Sequence, residues 1–567
     1  MERPTNVKDI RGGVTGSVDH GRVWSGVVIR RVVARPDLVT ALALMAIVLV
    51  GAAVRFTGID WGRPFVYHPD EGVVVKAALQ MVATQDWNPH TFLYPSLLPD
   101  IVAGLGAIGH AVGAWPLATG QEGLFATEVL PGQFGVFLAG RVMVAILGLA
   151  TVVVSFAIGQ RLGGRIAGLI AAAIVTIAPI HIESSRFVTT DVPVTLFCAL
   201  TLAASIRAID DPGRKRWWIV AAVFVGLATS TKWNGIAVAI VPAALYISSR
   251  IKSGGIAALF RSPTPLLMAL AAIVAFVAAT PAAVFAPGEV IGWLGQQATA
   301  YSSEAYAAIR GSSTDNSVGV AAQTVVSGFG LPVVGLAAIG IVCLLAARRQ
   351  IEFAMALFVI VYVTILAIPV LYYPRNALPA LPFVAVAIGL LPGRMASIAG
   401  RWRRGRDDLS RLIPSPAHLR VALATLIAVA MIPAVSSDIA YAGRLQKPDT
   451  RTVAYSWILA NLPHNSIVAR EQYTPQLLPD QFRLRDHDGL YQRNMAWYRQ
   501  QKVQYIIASS YIYGRYLDNS ARPFDDLFYR NLFALPEVFR IDPGTDRPGP
   551  TIRIFRLDPL PAPIPSP

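Results

Sequence analysis

The segment His68-Pro69-Asp70-Glu71 sets two carboxylates side by side about a dozen residues beyond the first long apolar run of this chain. A carboxylate at the head-group level of a bilayer can take a proton from a hydroxyl or an amine. Three other short polar segments carry complementary groups. Ser185-Arg186-Phe187 is followed by Asp191, Thr231-Lys232-Trp233-Asn234-Gly235 turns between two apolar runs, and Tyr372-Tyr373-Pro374-Arg375-Asn376 precedes another. Arginine offers a phosphate a planar fork of donors, and lysine offers a point charge. Acids that accept a proton beside cations that hold a phosphate suit attack on an activated lipid. A polyprenyl-phosphate sugar would keep its tail in the bilayer while an acceptor attacks the anomeric carbon and the cations stabilise the departing phosphate. Direct attack from one side would invert the anomeric configuration.

The candidate acids are therefore Asp70, Glu71 and Asp191, and the candidate substrate-binding groups are Arg186, Lys232, Arg375, His68 and Tyr373. Each has a plainer reading. Asp70 and Glu71 suit a helix N-terminus after Pro69, and Asp191 precedes Val192-Pro193 in the same way. Arg186 and Arg375 could anchor helix ends to head groups, Lys232 could occupy a turn, and Arg141 reads as an interfacial anchor. Tyr372 and Tyr373 fit an aromatic belt, and His68 fits a hydrogen-bonding role.

The elements that position these groups are apolar helices. Over 567 residues the chain is 54% hydrophobic and only 15% charged, which indicates a polytopic membrane protein. Its net charge of +15 is spread between apolar runs rather than clustered with aromatics on a soluble domain, so nucleic acid is not the expected partner. Cys198 and Cys343 both lie in apolar runs, away from any disulfide or metal pattern. Eleven runs can cross: 38–55, 136–159, 165–181, 192–208, 217–231, 234–249, 265–286, 329–347, 352–371, 377–392 and 419–436. Segment 97–115, which contains Pro99, Asp100 and His110, is expected to lie in or near the outer interface.

The basic residues of 1–37 place that tail in the cytoplasm, and the inner loops then collect clusters such as Arg214-Lys215-Arg216 and Arg401 to Arg406. The cations left on the outer side are Arg55, Arg63, Lys76, Arg141, Arg186, Lys232, Arg310 and Arg375, each a candidate for a specific job. The long outer loops are 56–135 and 287–328, the latter with Tyr301, Glu304 and Tyr306. Residues 437–567 then fall outside. They show β-rich runs at Ser466–Ala469, Val503–Ser509 and Thr551–Leu557 and a helical pattern over Thr450–Asn461, as in a small α/β domain. Residues 1–35 and the Pro-rich end 559–567 are expected to be flexible.

This pattern resembles the GT-C superfamily of membrane glycosyltransferases, in the protein O-mannosyltransferase and lipid A aminoarabinose transferase branch. The residues that carry the resemblance are Asp70-Glu71, Tyr94-Pro95, Arg141, Arg161-Leu162-Gly163-Gly164-Arg165 and Ser185-Arg186-Phe187 with Asp191. Thr231-Lys232-Trp233-Asn234-Gly235 and Arg375 before Leu378-Pro379-Ala380-Leu381-Pro382 complete the set, which covers residues 38–392. The resemblance implies a GT-C-like fold of about eleven transmembrane helices and an enzyme that uses a polyprenyl-phosphate-sugar donor. It implies Asp70 as base, Glu71 positioning the acceptor or the sugar, Asp191 as a second acid, and Arg375 and Lys232 on the lipid phosphate. Arg186 would share that role or orient Asp191. No metal or cofactor is expected. The Trp-Trp-Asp motif of the metal-using oligosaccharyltransferases is not found, since Trp217-Trp218 lies at an inner membrane end. The acceptor could be a lipid, a glycan or a protein, and the setting is a bacterial plasma membrane. A proton-coupled transporter or lipid flippase would use the same outer-face acids, but would favour internal repeats and ionisable groups deep within spans.

Overall fold

The structure, a computed structural model, describes residues 37–116, 128, 130–211, 215–259, 261–302, 319, 322–323, 326, 328–367, 373–405, 414–520 and 522–557. The expectations for 1–35, 559–567, Glu304, Tyr306, Arg310 and Tyr372 lie outside the described residues.

Each of the eleven apolar runs is helical over most of its described residues, with breaks at Ile177-Ala178 and Thr280-Pro281 among them. Among the described residues six helices are long and apolar enough to cross a membrane: Leu38–Phe56, Phe134–Gly163, Asp191–Asp210, Trp233–Gly254, Pro374–Arg403 and Pro416–Arg444. Arg165–Thr176, Arg216–Thr231, Thr264–Ala279, Leu331–Ala346 and Gln350–Leu366 are shorter apolar helices. Their shared core is built from Ala171, Ile174, Val194, Leu202, Val241, Phe358 and Phe383, all essentially inaccessible. Many outward residues, such as Leu49, Ile273 and Val342, are apolar and exposed, as lipid-facing helices require.

Segment 56–135 carries two helices. Helices Pro69–Thr84 and Leu97–Ala111 pack on the start of Phe134–Gly163 through Val75, Ala78, Leu98, Val102 and Phe137. The expected domain boundary at 437 falls inside a helix, because Ile432–Arg444 continues the Pro416–Ala430 helix after a short break at Met431. The C-terminal domain therefore begins after Arg444.

That domain carries a five-stranded sheet of β1 (Ile467–Glu471), β2 (Arg483–His487), β3 (Tyr505–Ser509), β4 (Glu537–Ile541) and β5 (Ile552–Arg556), in the order β2-β1-β3-β5-β4. β1 pairs in parallel with β2 and β3, and β5 pairs antiparallel with β3 and β4. The three β-rich runs of the sequence are the central strands. β2 and β4 carry no such pattern because they are charged edge strands with one unpaired side. The domain is latched to segment 56–135. Tyr67 Oη hydrogen-bonds Thr452 Oγ1 at 2.8 Å, and Arg451 stacks 4.0 Å over the Tyr67 ring. Arg470, fully buried, donates to both carboxylate oxygens of Glu128 at 2.9 Å and to Asp486. The C-terminal domain thus sits on the same side of the molecule as Asp70.

Candidate active site

Two helices bring their N-termini, each with an acid in the first turn, to one place. Pro69 opens Pro69–Thr84, whose first turn holds Asp70 and Glu71, and Asp191 begins Asp191–Asp210. The partial positive charge of a helix N-terminus favours a carboxylate at each position. Two short 3-10 turns at the heads of spans bring the cations. Lys232 precedes the turn Trp233–Ala239, and Arg375 lies in the turn Pro374–Ala380. The turn after Lys232 needs glycine at 235, where a Cβ would lie 2.3 Å from the Ala228 carbonyl oxygen.

Arg375 joins the acids. Its Nη2 is 2.7 Å from Asp70 Oδ2 and its Nε is 3.7 Å from Asp191 Oδ2. Lys232 Nζ donates to Asp191 Oδ1 at 2.6 Å and to Asn376 Oδ1 at 2.7 Å. The Tyr373 ring lies 4.6 Å from the guanidinium carbon of Arg375 and holds its plane. Asp191 is buried, whereas Asp70 and Arg375 keep 17% and 26% of their side-chain surface exposed, so the Asp70–Arg375 edge faces outward. Tyr94 and Tyr301 lie within electrostatic reach of Asp70, Asp191 and Arg375, and burial holds both phenols above their ordinary pKa, so they remain neutral donors.

The structure separates Glu71 from its neighbour. Successive residues of a helix point about 100° apart, so Glu71 turns into the bundle as Asp70 turns out. Glu71 is fully buried and accepts from Arg141 Nε at 2.8 Å, Arg141 Nη2 at 2.7 Å and the Val188 backbone N–H at 3.0 Å. Arg141, expected as an interfacial anchor, is instead buried, and its Nη1 donates to the Ile59 and Trp61 carbonyls at 2.9 Å. Glu71 therefore belongs to the support beneath Asp70, not to the surface that would meet an acceptor or a sugar.

Arg186 is a second correction. Its guanidinium donates to the Val54 and Thr57 carbonyls at the C-terminal end of Leu38–Phe56 and lies over the Tyr441 ring. A cation is favoured at helix C-terminal carbonyls, and that geometry takes Arg186 away from Asp191. His68 stacks on Phe187 with ring centroids 4.3 Å apart, and its buried Nδ1 has no hydrogen-bond partner among the described residues. Burial pushes its pKa down against the pull of Asp70 and Glu71.

Sequence reasoning missed Tyr362. Its hydroxyl donates to the Asn376 carbonyl at 2.7 Å and accepts from Asn234 Nδ2 at 2.8 Å, which ties the two 3-10 turns together. A tyrosine inside the apolar helix Gln350–Leu366 was the available signal, since a buried hydroxyl needs a partner. Among the described residues no group of three or more histidine, cysteine or carboxylate side chains is arranged to hold a metal.

Residues 132–281 match the sequence profile of the family described as dolichyl-phosphate-mannose-protein mannosyltransferase. No curated protein matches the chain by sequence. Among solved structures, ArnT from Cupriavidus metallidurans in the apo state is 15% identical, with a TM-score of 0.52 over 90% of this chain and 97% of that one. ArnT bound to undecaprenyl phosphate gives 16% identity and a TM-score of 0.51 over the same shares. The oligosaccharyltransferase AglB from Archaeoglobus fulgidus, in complex with an inhibitory peptide and a dolichol-phosphate, is 13% identical with a TM-score of 0.54 over 90% of this chain and 74% of that one. These similarities show that the chain shares its fold with ArnT and AglB.

Proposed function

We propose that this protein transfers a sugar from a polyprenyl-phosphate donor to an acceptor at the extracytoplasmic face of a bacterial plasma membrane, with inversion and with Asp70 as the general base. The observation that carries the reading is the bridge of Arg375 between Asp70 and Asp191, with Lys232 on the far oxygen of Asp191. ArnT bound to undecaprenyl phosphate and AglB bound to a dolichol-phosphate support a lipid-phosphate donor.

In this reading the two cations meet the donor phosphate, and Asp191 holds them in place. Arg375 still has N–H groups to offer a phosphate oxygen while it touches the acids. The acceptor O–H or N–H attacks the anomeric carbon as the bond from that carbon to the phosphate oxygen breaks. The proton passes to Asp70, and the electron pair leaves with the polyprenyl phosphate, whose growing charge Arg375 and Lys232 offset. Glu71 and Arg141 act as positioning residues that fix the start of helix Pro69–Thr84.

The test is sugar transfer by purified protein in liposomes, with a panel of polyprenyl-phosphate sugars and crude membrane acceptors. Asp70→Asn should abolish donor consumption and retain donor binding. Equal turnover by wild type and variant would remove Asp70 as base. Proton-dependent movement of a solute without donor consumption would replace the enzyme reading with a transporter.

A further inference from the structure

The segment Arg161-Leu162-Gly163-Gly164-Arg165 takes no part in the site above. It ends helix Phe134–Gly163 some twenty residues beyond Arg141, and hence about 30 Å away at the opposite end of the bundle. A cavity of about 440 Å³ opens there, lined by Arg165, Arg349, Arg394, Arg420 and Ser397. A neighbouring cavity of about 390 Å³ shares Leu162 and Arg349 with it and adds Arg161, Lys252 and Arg348. The two form one basic concavity.

Its charge is only partly neutralised. Asp37 pairs with Arg165, and Asp210 pairs with Arg161 at 2.7 Å. Buried Glu352 is shared through one oxygen by Arg394 and by Arg349 at 3.6 Å. Lys252, Arg348 and Arg420 have no carboxylate among the described residues, so the described lining of the concavity carries a net positive charge. Helix Arg165–Thr176 begins on the same wall. Gly164 precedes it with no side-chain cap, and residues 165–167 line the cavity. Uncapped helix N–H groups beside arginines favour a phosphate oxygen. Leu162, Ile166 and Leu390 give the same wall an apolar side. The concavity lies between the ends of apolar helices, where lipid head groups sit.

We propose that this concavity binds the phosphate of an anionic phospholipid, at the membrane face opposite the candidate active site. The test uses full-length protein stripped of lipid in detergent. Phosphatidylglycerol, phosphatidylcholine and inorganic phosphate are added in separate arms, and retained lipid is read by native mass spectrometry alongside the shift in melting temperature. The wild type should retain phosphatidylglycerol well above phosphatidylcholine. Arg420→Gln, which removes an exposed cation with no paired acid among the described residues, and Arg349→Gln, which leaves Arg394 on Glu352, should each weaken that retention about fivefold. Both should leave the melting temperature of the lipid-free protein unchanged within about 1 °C, since neither empties a buried position. Equal retention of the two lipids, or unchanged phosphatidylglycerol retention in both variants, overturns the proposal. Stabilisation by inorganic phosphate equal to that by phosphatidylglycerol also overturns it, and assigns the arginines to a soluble phosphate compound.

Discussion

Replacing Glu71 by glutamine separates support from chemistry at two adjacent acids. Glu71 is fully buried, and its two oxygens take two bonds from Arg141 and one from the Val188 N–H. A glutamine keeps one acceptor oxygen for Arg141 Nε and Val188. It also sets an amide NH2 against Arg141 Nη2, where Glu71 Oε2 now stands 2.7 Å away. Arg141 is buried and would lose its counter-charge. Breaking a buried ion pair on one side costs about 3–5 kcal/mol. The Ile59 and Trp61 carbonyls continue to hold Arg141 Nη1, which puts the expected loss near the lower end, about 3 kcal/mol. Asp70→Asn removes a pair that is partly exposed on both sides and leaves Arg375 beside Asp191, so its expected cost is only about 1 kcal/mol or less. Thermal unfolding of the full-length protein in detergent, followed by tryptophan fluorescence, compares the two with wild type. Sugar transfer is assayed well below the melting temperature. Glu71→Gln should melt early yet transfer sugar while folded, whereas Asp70→Asn should melt near wild type and transfer none. The double variant Glu71→Leu/Arg141→Met, which removes both charges, should regain stability over the single variant. A Glu71→Gln protein that melts with wild type but transfers no sugar would refute the division of roles.

Arg375→Lys keeps a positive charge but cannot span Asp70 and Asp191 together, so turnover at saturating donor should fall about 10²–10³-fold; near-normal turnover would show that charge alone suffices. Arg470→Met removes the buried cation that Glu128 and Asp486 share and should cost about 3–5 kcal/mol in unfolding measurements. Arg530→Ala on the exposed face serves as the control and should stay within about 0.5 kcal/mol. Glu471 is buried on β1, where it accepts from the Ser509 and Leu490 N–H groups and from Tyr529 Oη, and burial pushes its pKa up to about 7. A carboxyl whose folded pKa lies above its ordinary 4.5 contributes stability that is complete below pH 4.5 and is lost as pH rises through 7. The difference between pH 4.5 and pH 8 should be about 3 kcal/mol, and Glu471→Gln should remove that part of the pH dependence; parallel melting profiles for the two proteins would show that folding does not raise the Glu471 pKa.

Hydropathy and charge alone determined the helical membrane bundle, the turns between its spans, and the central strands of the C-terminal domain. These are local properties, because a run of apolar residues must be helical in lipid whatever it packs against. The same reading located Asp70, Asp191, Lys232 and Arg375 at span ends, since charges are expelled from the hydrocarbon. Tertiary structure decided which of them meet. Arg375 reaches Asp70 and Asp191 from a distant part of the chain, and Arg141 reaches Glu71 across 70 residues. Arg186 and Arg375 look alike in sequence, as cations beside apolar runs. Packing sends one to the carbonyls of Leu38–Phe56 and the other to the acids. Asp70 and Glu71 differ by a single step along a helix, and the 100° turn of that step aims one at the outer surface and the other at Arg141. A side chain's type is written in the sequence, but the buried partner that sets its role comes from segments far away along the chain.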